Sequence, residues 1–436
     1  MRSVNNVVMP ELSESLVMES VRKAQEGVAN KEDAEKSVAL DFYYHKDVDK
    51  HIDQWFSKAT LNQVPSFPQK IVPRFAKARM MVYKNAPIRM INGDVSEDYR
   101  DYSYKLDSSI KEFSELAWLT SSMGLRTRWN ERRSILEYDI IPFFKRYMVD
   151  GEMRGVSYEV ERDAKNNRIF VFWSDELHFK YDQAGRMIQV NDGNENPYGV
   201  IPVSFIDYPQ SAGDVIRAAI QIGIANTEIA LAERFSFGQP VATGLDNATT
   251  LSMGIDKVMI LPEGASFSFV GNPGSLKDMT EVTKSFANQT AINNHLRIKW
   301  DDSAPVSGEA LRMLEIENLE VRVSDIPKWR EWERERYDID RSIIRAHTGK
   351  DLGERYSVDF AEIEFPKSPQ EERAELDWKL EKGLISREDL FRHFNPDISD
   401  EDLKTKLGEV DEAKAVETKA TPPQFEGLRK LGSISS

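Results

Sequence analysis

Asp301 and Asp302 are where this chain comes nearest to recognisable chemistry. They lie in the polar stretch Lys299-Trp300-Asp301-Asp302-Ser303, which passes Pro305 and runs into a long helical pattern. Two carboxylates can hold a divalent cation, or share general acid and general base work. Consecutive residues rarely converge on one ion without further ligands, and no D-x-D-x-[DN]-G loop surrounds this pair. A polar turn between helices is the plain reading. A metal-dependent hydrolase using Asp301 and Asp302 is the enzymatic alternative. The rest of the chain adds little. Its six histidines, His45, His51, His178, His295, His347 and His393, show no metal-ligand spacing. No G-x-S-x-G nucleophile elbow is present. "HTGKD" (347–351) lacks the first Gly and the Ser or Thr of a phosphate loop, so Gly349 reads as a helix end. No enzymatic activity, cofactor or metal is expected.

Totals narrow the class further. A chain of 436 residues is too long for one ordinary core and suggests two to four sub-domains. Asp plus Glu (73) exceed Lys plus Arg (58), a net charge of −15, which does not suit a general DNA-gripping surface. With no cysteine, disulfides and thiolate chemistry are excluded. The first residues, "MRSVNNVVMPELSES", lack the apolar core of a signal peptide, and no membrane span is expected. The most apolar stretch, 215–232, still contains Arg217, Gln221, Asn226 and Glu228.

The elements that must position the polar loop follow from periodicity. Residues 1–60 read as polar and helical. Prolines 65, 68 and 73 break the chain, 74–84 can form a helix, and 109–124 reads as a helix ended by Gly124. From 133 to 207 the pattern is strand-like, with hairpins turning at "DAKNN" and "DQAG" and an apolar strand at 200–207. A long helix spans 214–235, about 33 Å at 1.5 Å per residue. A small insert, 239–272, follows, with a hairpin at 257–270 turning at "PEGA". Ser275 caps a second helix that runs to about 297. A third begins near Ser307 and runs to about His347, kinked at 324–327 by Pro327. In "WREWERER" (329–336), the glutamates cancel the arginines, and Trp329 and Trp332 read as packing residues. After a strand-like 356–365 the chain is acidic and helical, with Ser368, Ser386 and Ser399 as caps. The fold class is α+β.

The order of these parts resembles the portal proteins of tailed bacteriophages. The phrases that carry it are "KARMMVYKNAPIRMI" (77–91), "NPYGVIPVSFIDYP" (196–209), "VSGEALRMLEIENLEVRV" (306–323) and "FPKSPQEERAELDWKLEKGLISREDLFRHF" (365–394), covering roughly 40–410. Each phrase is weak alone, and their order makes the case. The resemblance implies a portal-type fold. Residues 1–210 would be the N-terminal part of an α/β wing, with stem helices at 211–237 and 275–297 and a small β-rich clip at 238–274. A tunnel loop would span 298–306. The kinked helix and the rest of the wing would span 307–366, a helical crown 367–415 and a flexible tail 416–436.

The resemblance also implies a function: a homo-dodecameric ring at one capsid vertex through which double-stranded DNA is packaged and ejected. Its partners would be the terminase large subunit, head-tail adaptor proteins, and the major capsid and scaffold proteins, with no membrane. It would reside in the virion, and in the host cytoplasm during assembly. Arg297, Lys299, Trp300, Asp301, Asp302 and Ser303 would form the loop facing DNA. Carboxylates there repel phosphate while a lysine offers brief contacts. The 214–235 helix is apolar around much of its circumference, so Ile216, Ile220, Ile224 and Leu231 would face a neighbouring subunit, or else a core within one monomer. Another phage ring protein, such as a head–tail adaptor, predicts a shorter chain without this order.

Overall fold

The structure is a computed structural model. It describes residues 6–9, 11, 13, 15, 31–162, 166–188, 194–209, 212–234, 239–244, 264–270, 276–297, 313, 315–363, 369–395, 398–399 and 401–410. The chain divides into two units, Met1–Ser303 with Leu314–Ile363, and Ala304–Met313 with Glu364–Ser436. Helices and sheets are mixed, consistent with the α+β class.

The first unit opens differently from its polar, helical expectation. Asn6–Met9 is a strand, β1, and helix α1 (Lys31–Tyr44) comes later. Three helices follow: α2 (Asp49–Asp53), α3 (Lys58–Leu61) and α4 (Ile71–Arg79). Strand β2 (Ile88–Ile91), α5 (Glu97–Tyr102) and α6 (Leu106–Thr120) complete this part. Helix α6 stops at Thr120, before Gly124, because Ser121 takes the left-handed conformation at φ 65°. Gly124 lies inside the next strand, β3 (Ser122–Asn130). Its role there is packing: a Cβ would lie 2.9 Å from the ring of Phe205, its cross-strand partner.

Strand β3 lies between β4 (Ile135–Ile141) and β10 (Val203–Asp207) in a three-stranded antiparallel sheet. Pro142 follows β4, and the chain enters a second sheet through β5 (Phe144–Val149), β6 (Glu152–Arg162), β7 (Arg168–Ser174), β8 (His178–Asp182) and β9 (Met187–Ile188). The β8–β9 turn falls where "DQAG" predicts it: Asp182 Oδ1 accepts from the backbone of Ala184 and Arg186, and Gly185 has φ 76°. Strand β1 pairs in parallel with β5 and completes six strands, in the order β1-β5-β6-β7-β8-β9.

Alternation places the two faces of the three-stranded sheet in different cores. Leu125, Leu136, Tyr138 and Ile206 face the main core with α6. Ile141, Val203 and Phe205 pack with Val156, Tyr158, Val171 and Trp173 of the larger sheet.

The 214–235 pattern folds as α7 (Gly213–Arg234). Strand β11 (Gln239–Thr243) then pairs antiparallel with β12 (Ser266–Val270). Of the hairpin expected within 257–270, the first strand falls in 245–263, outside the described residues, while its second strand is β12, whose described partner is β11. Helix α8 (Leu276–Asn293) ends four residues earlier than expected, where Asn294 and His295 turn, His295 with φ 58°. Helix α9 (Ile316–Thr348) is continuous through Pro327. Ser324 does not start a new helix there: its hydroxyl donates to the Val321 carbonyl within the same one. The buried Trp329 and Trp332 that follow hold this part of the helix against the core. Gly349, with φ 72°, ends it and donates to the Arg345 carbonyl, as its sequence position predicts. Strand β13 (Tyr356–Asp359) then pairs with β2.

The second unit holds α10 (Pro369–Glu381), α11 (Arg387–Phe394) and a helix over 401–410. Ser386 forms a reciprocal capping box with Asp389, and Gly383 (φ 67°) ends α10. The expected cap Ser368 lies outside the described residues. Leu403 is the buried residue among those described in this unit, while Trp378, Leu384 and Phe394 are exposed.

Candidate functional site

An antiparallel helical arm precedes the polar loop. Helix α7 lays one face on the body: Val215, Ile216, Ala218, Ala219, Ile222, Gly223 and Thr227 are buried. Gly223 allows the approach, since a Cβ there would lie 2.4 Å from Ile52 Cδ1. Thr227 fixes the same face by accepting from the Phe67 backbone at 3.2 Å and donating to the Gly223 carbonyl at 2.8 Å. Helix α8 returns beside α7: Asn294, just past its end, donates to Asp214 in the first turn of α7 at 2.9 Å. The buried residues of α8 are small, namely Thr283, Ala287, Thr290 and Ala291. Both threonine hydroxyls donate to the carbonyls four residues back, so no polar atom is stranded between the helices. Val282, Phe286 and Ile292 are left exposed.

By length and composition alone α7 could also cross a bilayer, although it buries seven residues within this chain. Of the four residues expected to face a neighbour, Ile216 is buried in the chain's own main core and Ile220 packs against it. Ile224 and Leu231 are half-buried.

Arg297 is exposed at the base of the polar loop; Lys299, Trp300, Asp301, Asp302 and Ser303 lie outside the described residues. The base itself is well placed. Leu296 is buried in the main core, and His295 Nδ1 stands 3.7 Å from the Glu317 carboxylate in the first turn of α9. His295 and Glu317, on either side of the polar loop, are thus close to one another.

Among the described residues, a dense cluster of ionisable groups lies elsewhere, on α9. Glu333, Arg336 and Asp340 share one face by their spacing and are fully buried. Glu333 accepts from Arg89 (2.9 Å), Arg336 (2.6 Å), Tyr356 (2.8 Å) and Tyr83 (3.2 Å). Asp340 accepts from Arg336, Tyr99 (2.8 Å), Tyr138 (2.9 Å) and Thr127 (2.9 Å). Burial would raise the Glu333 carboxyl, but the Arg89 and Arg336 guanidinium groups hold it down to about 2. Burial pushes Asp340 up, against Arg336 and its hydroxyl donors. Besides Tyr83, which precedes β2, the partners outside α9 come from β2, α5, β3, β4 and β13, so the cluster clamps α9 to the strands. With its acceptors occupied and no exposure, it offers no place for a substrate. Sequence reading saw the charges of 329–336 cancel; it could not see their partners, which lie up to 250 residues away.

Two smaller features complete the survey. A cleft of about 470 Å³ is lined by Arg146, Ser204, Phe205, Asp207, Glu335 and Ile339. Arg146 spends its charge there on Asp207, at 2.6 and 3.1 Å. An S-x-x-K string at Ser108–Lys111, not singled out in the sequence, lies on α6, where the Ser108 hydroxyl donates to the Lys105 carbonyl rather than to a base. Among the described residues no cluster of three or more His, Asp or Glu could hold a metal ion.

No family model and no curated protein matches the chain. Among solved structures, it is similar to the neck of an empty gene transfer agent (GTA) particle computed with C6 symmetry, with 13% identity, a TM-score of 0.38, and coverage of 78% of this chain and 94% of that one. The neck of the native GTA particle computed with C12 symmetry gives 14%, 0.37, 73% and 88%. The virion of the native particle gives 14%, 0.37, 77% and 92%.

Proposed function

We propose that this chain is a portal-type subunit, a structural protein without enzymatic activity. Copies of it would form a ring, dodecameric by the sequence resemblance, at one capsid vertex of a phage-like virion. The arm supports this reading: α7 and α8 run antiparallel from the α/β body, a two-stranded ribbon lies between them, and the polar loop leaves from the foot of α8. The arm corresponds to stem, clip and stem in the sequence order. In a ring, the loop bearing Lys299, Trp300, Asp301 and Asp302 would face double-stranded DNA and touch it without holding it. Terminase would dock on the clip and adaptor proteins would follow, while the wing would meet capsid and scaffold.

The test is end-on electron microscopy of the purified protein, with mass measured alongside. Rings enclosing an open channel of duplex width are expected. Particles that stay at the 50.0 kDa of one chain at every concentration, together with a metal-dependent hydrolysis lost in Asp301→Ala, would replace this reading with the hydrolase.

A further inference from the structure

Where the two sheets of the first unit face each other, three hydrogen-bond donors are buried without acceptors: Arg126 Nε, the Tyr158 hydroxyl and the Trp173 indole nitrogen. Tyr158 and Trp173 are only 2% and 4% exposed. They are diagonal neighbours on the β6–β7 ladder, since Tyr158 pairs with Val171 and Trp173 with Val156. The Arg126 guanidinium lies 5.8 Å from the centre of the Tyr158 ring. Trp173 is close to the Tyr158 oxygen. Even if the indole leans on that oxygen, the hydroxyl proton is left without an acceptor.

The local carboxylates are engaged elsewhere. Asp139 stands opposite Arg126 in the β3–β4 register but pairs with Arg128 at 2.9 Å. Glu131 pairs with His347 at 3.0 Å. Rings wall the remaining sides: Trp173 stacks on His178 at 3.5 Å and on Tyr198 at 5.8 Å. Burial, then Arg126 and Lys180, push His178 down to about 4, so it adds no positive charge near neutral pH. Arg126 itself is half-buried, although its Nε is fully buried.

A buried donor without an acceptor lowers stability, and a bound acceptor would restore it. One acceptor-rich anion would satisfy all three donors. We propose that Arg126, Tyr158 and Trp173 form a binding site for a single oxyanion, a phosphate or a carboxylate group. Arg126 would supply the charge, the hydroxyl and indole would direct the oxygens, and His178 and Tyr198 would wall the site with flat apolar faces.

The proposal does not depend on the ring reading, and the test uses the full chain. Tm is followed as sodium phosphate, or separately sodium acetate, replaces sodium chloride at constant ionic strength. A saturable rise is expected with at least one of the two anions. A response to phosphate alone assigns a free or esterified phosphate, and a response to acetate assigns a carboxylate. Arg126→Gln should weaken the apparent affinity at least about tenfold, and Tyr158→Phe, which keeps the ring and its packing, about threefold. Should Arg126→Gln fail to fold, Tyr158→Phe carries the test. The absence of any rise, or equal rises in wild type and variants, overturns the proposal.

Discussion

Helices α9 and α7 reverse what their compositions suggest. Fifteen of the 33 residues of α9 are charged, against five of the 22 in α7. Yet α9 is the helix threaded through the core, and it takes Glu333, Arg336 and Asp340 there at zero exposure. The apolar α7 buries one face and leaves Ile224 and Leu231 half-covered. A charged face can be buried when every charge meets an opposite one and every oxygen meets a donor. An apolar face needs only something to lie against, and within this chain α7 and α8 find it on one side. The difference separates a helix whose partners are all internal from a pair with surface to spare.

Breaking the α9 clamp should have the largest effect. Arg336→Met removes the cation between two buried carboxylates, and the expected loss is about 3–5 kcal/mol, read as a lower urea midpoint. An unchanged midpoint would mean that Asp340 tolerates burial without a cation and that Arg89 alone suffices for Glu333.

Acid should expose the same clamp. Glu333 titrates at about 2 in the fold against 4.5 as a free side chain. A depressed carboxyl contributes stability that is present above about pH 4.5 and lost as pH falls toward 2. Asp340 has the opposite sign: its raised carboxyl contributes below its ordinary value of 3.8, and that contribution is lost as pH rises through the folded value. Glu333→Gln should therefore flatten the acid limb of stability against pH between about 4.5 and 2, and the remaining slope reports the other carboxylates.

The covered face of α7 should respond less. Gly223→Ala sets a Cβ against Ile52, which is fully buried and has little room to move. The expected cost is about 1–2 kcal/mol in the same urea assay. No change would show that α7 does not sit tightly on α2.

The contrast also shows what local sequence can reveal. The apolar periodicity of 214–235 places α7 to within a residue at each end. Ser386, Gly349, Gly383 and the Asp182–Gly185 turn were legible because each acts on neighbours within four residues. Gly124 was misread as a helix end because its meaning depends on Phe205, which is distant in sequence. Strand β1 was missed because Asn6–Met9 has four residues and gains a partner only when β5 lies beside it. The pairing of β11 with β12 is hidden for the same reason, since the two are separated by the whole insert. Nothing local distinguishes Glu333 or Asp340 from solvated charges, since their partners come from five other elements. At the candidate site, the end of α8 reads four residues too late from its sequence, and the expected helix start near Ser307 lies outside the described residues. The spare surface of the arm was not readable either, because Ile216 and Ile220, chosen for outward contact, are used by the chain's own core.

That last point decides which substitution can test assembly. Ile220→Asp would strike the chain's own packing as well as any neighbour, so a lost ring would have two explanations. Phe286 is 53% exposed on α8 and lies one helical turn from Val282, also exposed. Replacing it with Ser should leave the urea midpoint of the single chain within about 0.5 kcal/mol. If the open face of the arm meets a second copy, the same change removes an aromatic contact from that interface, and sedimentation should show rings giving way to single chains at the same concentration. Rings that persist in Phe286→Ser would clear this face of α8 and leave Ile224 and Leu231 on α7 as the surface to test.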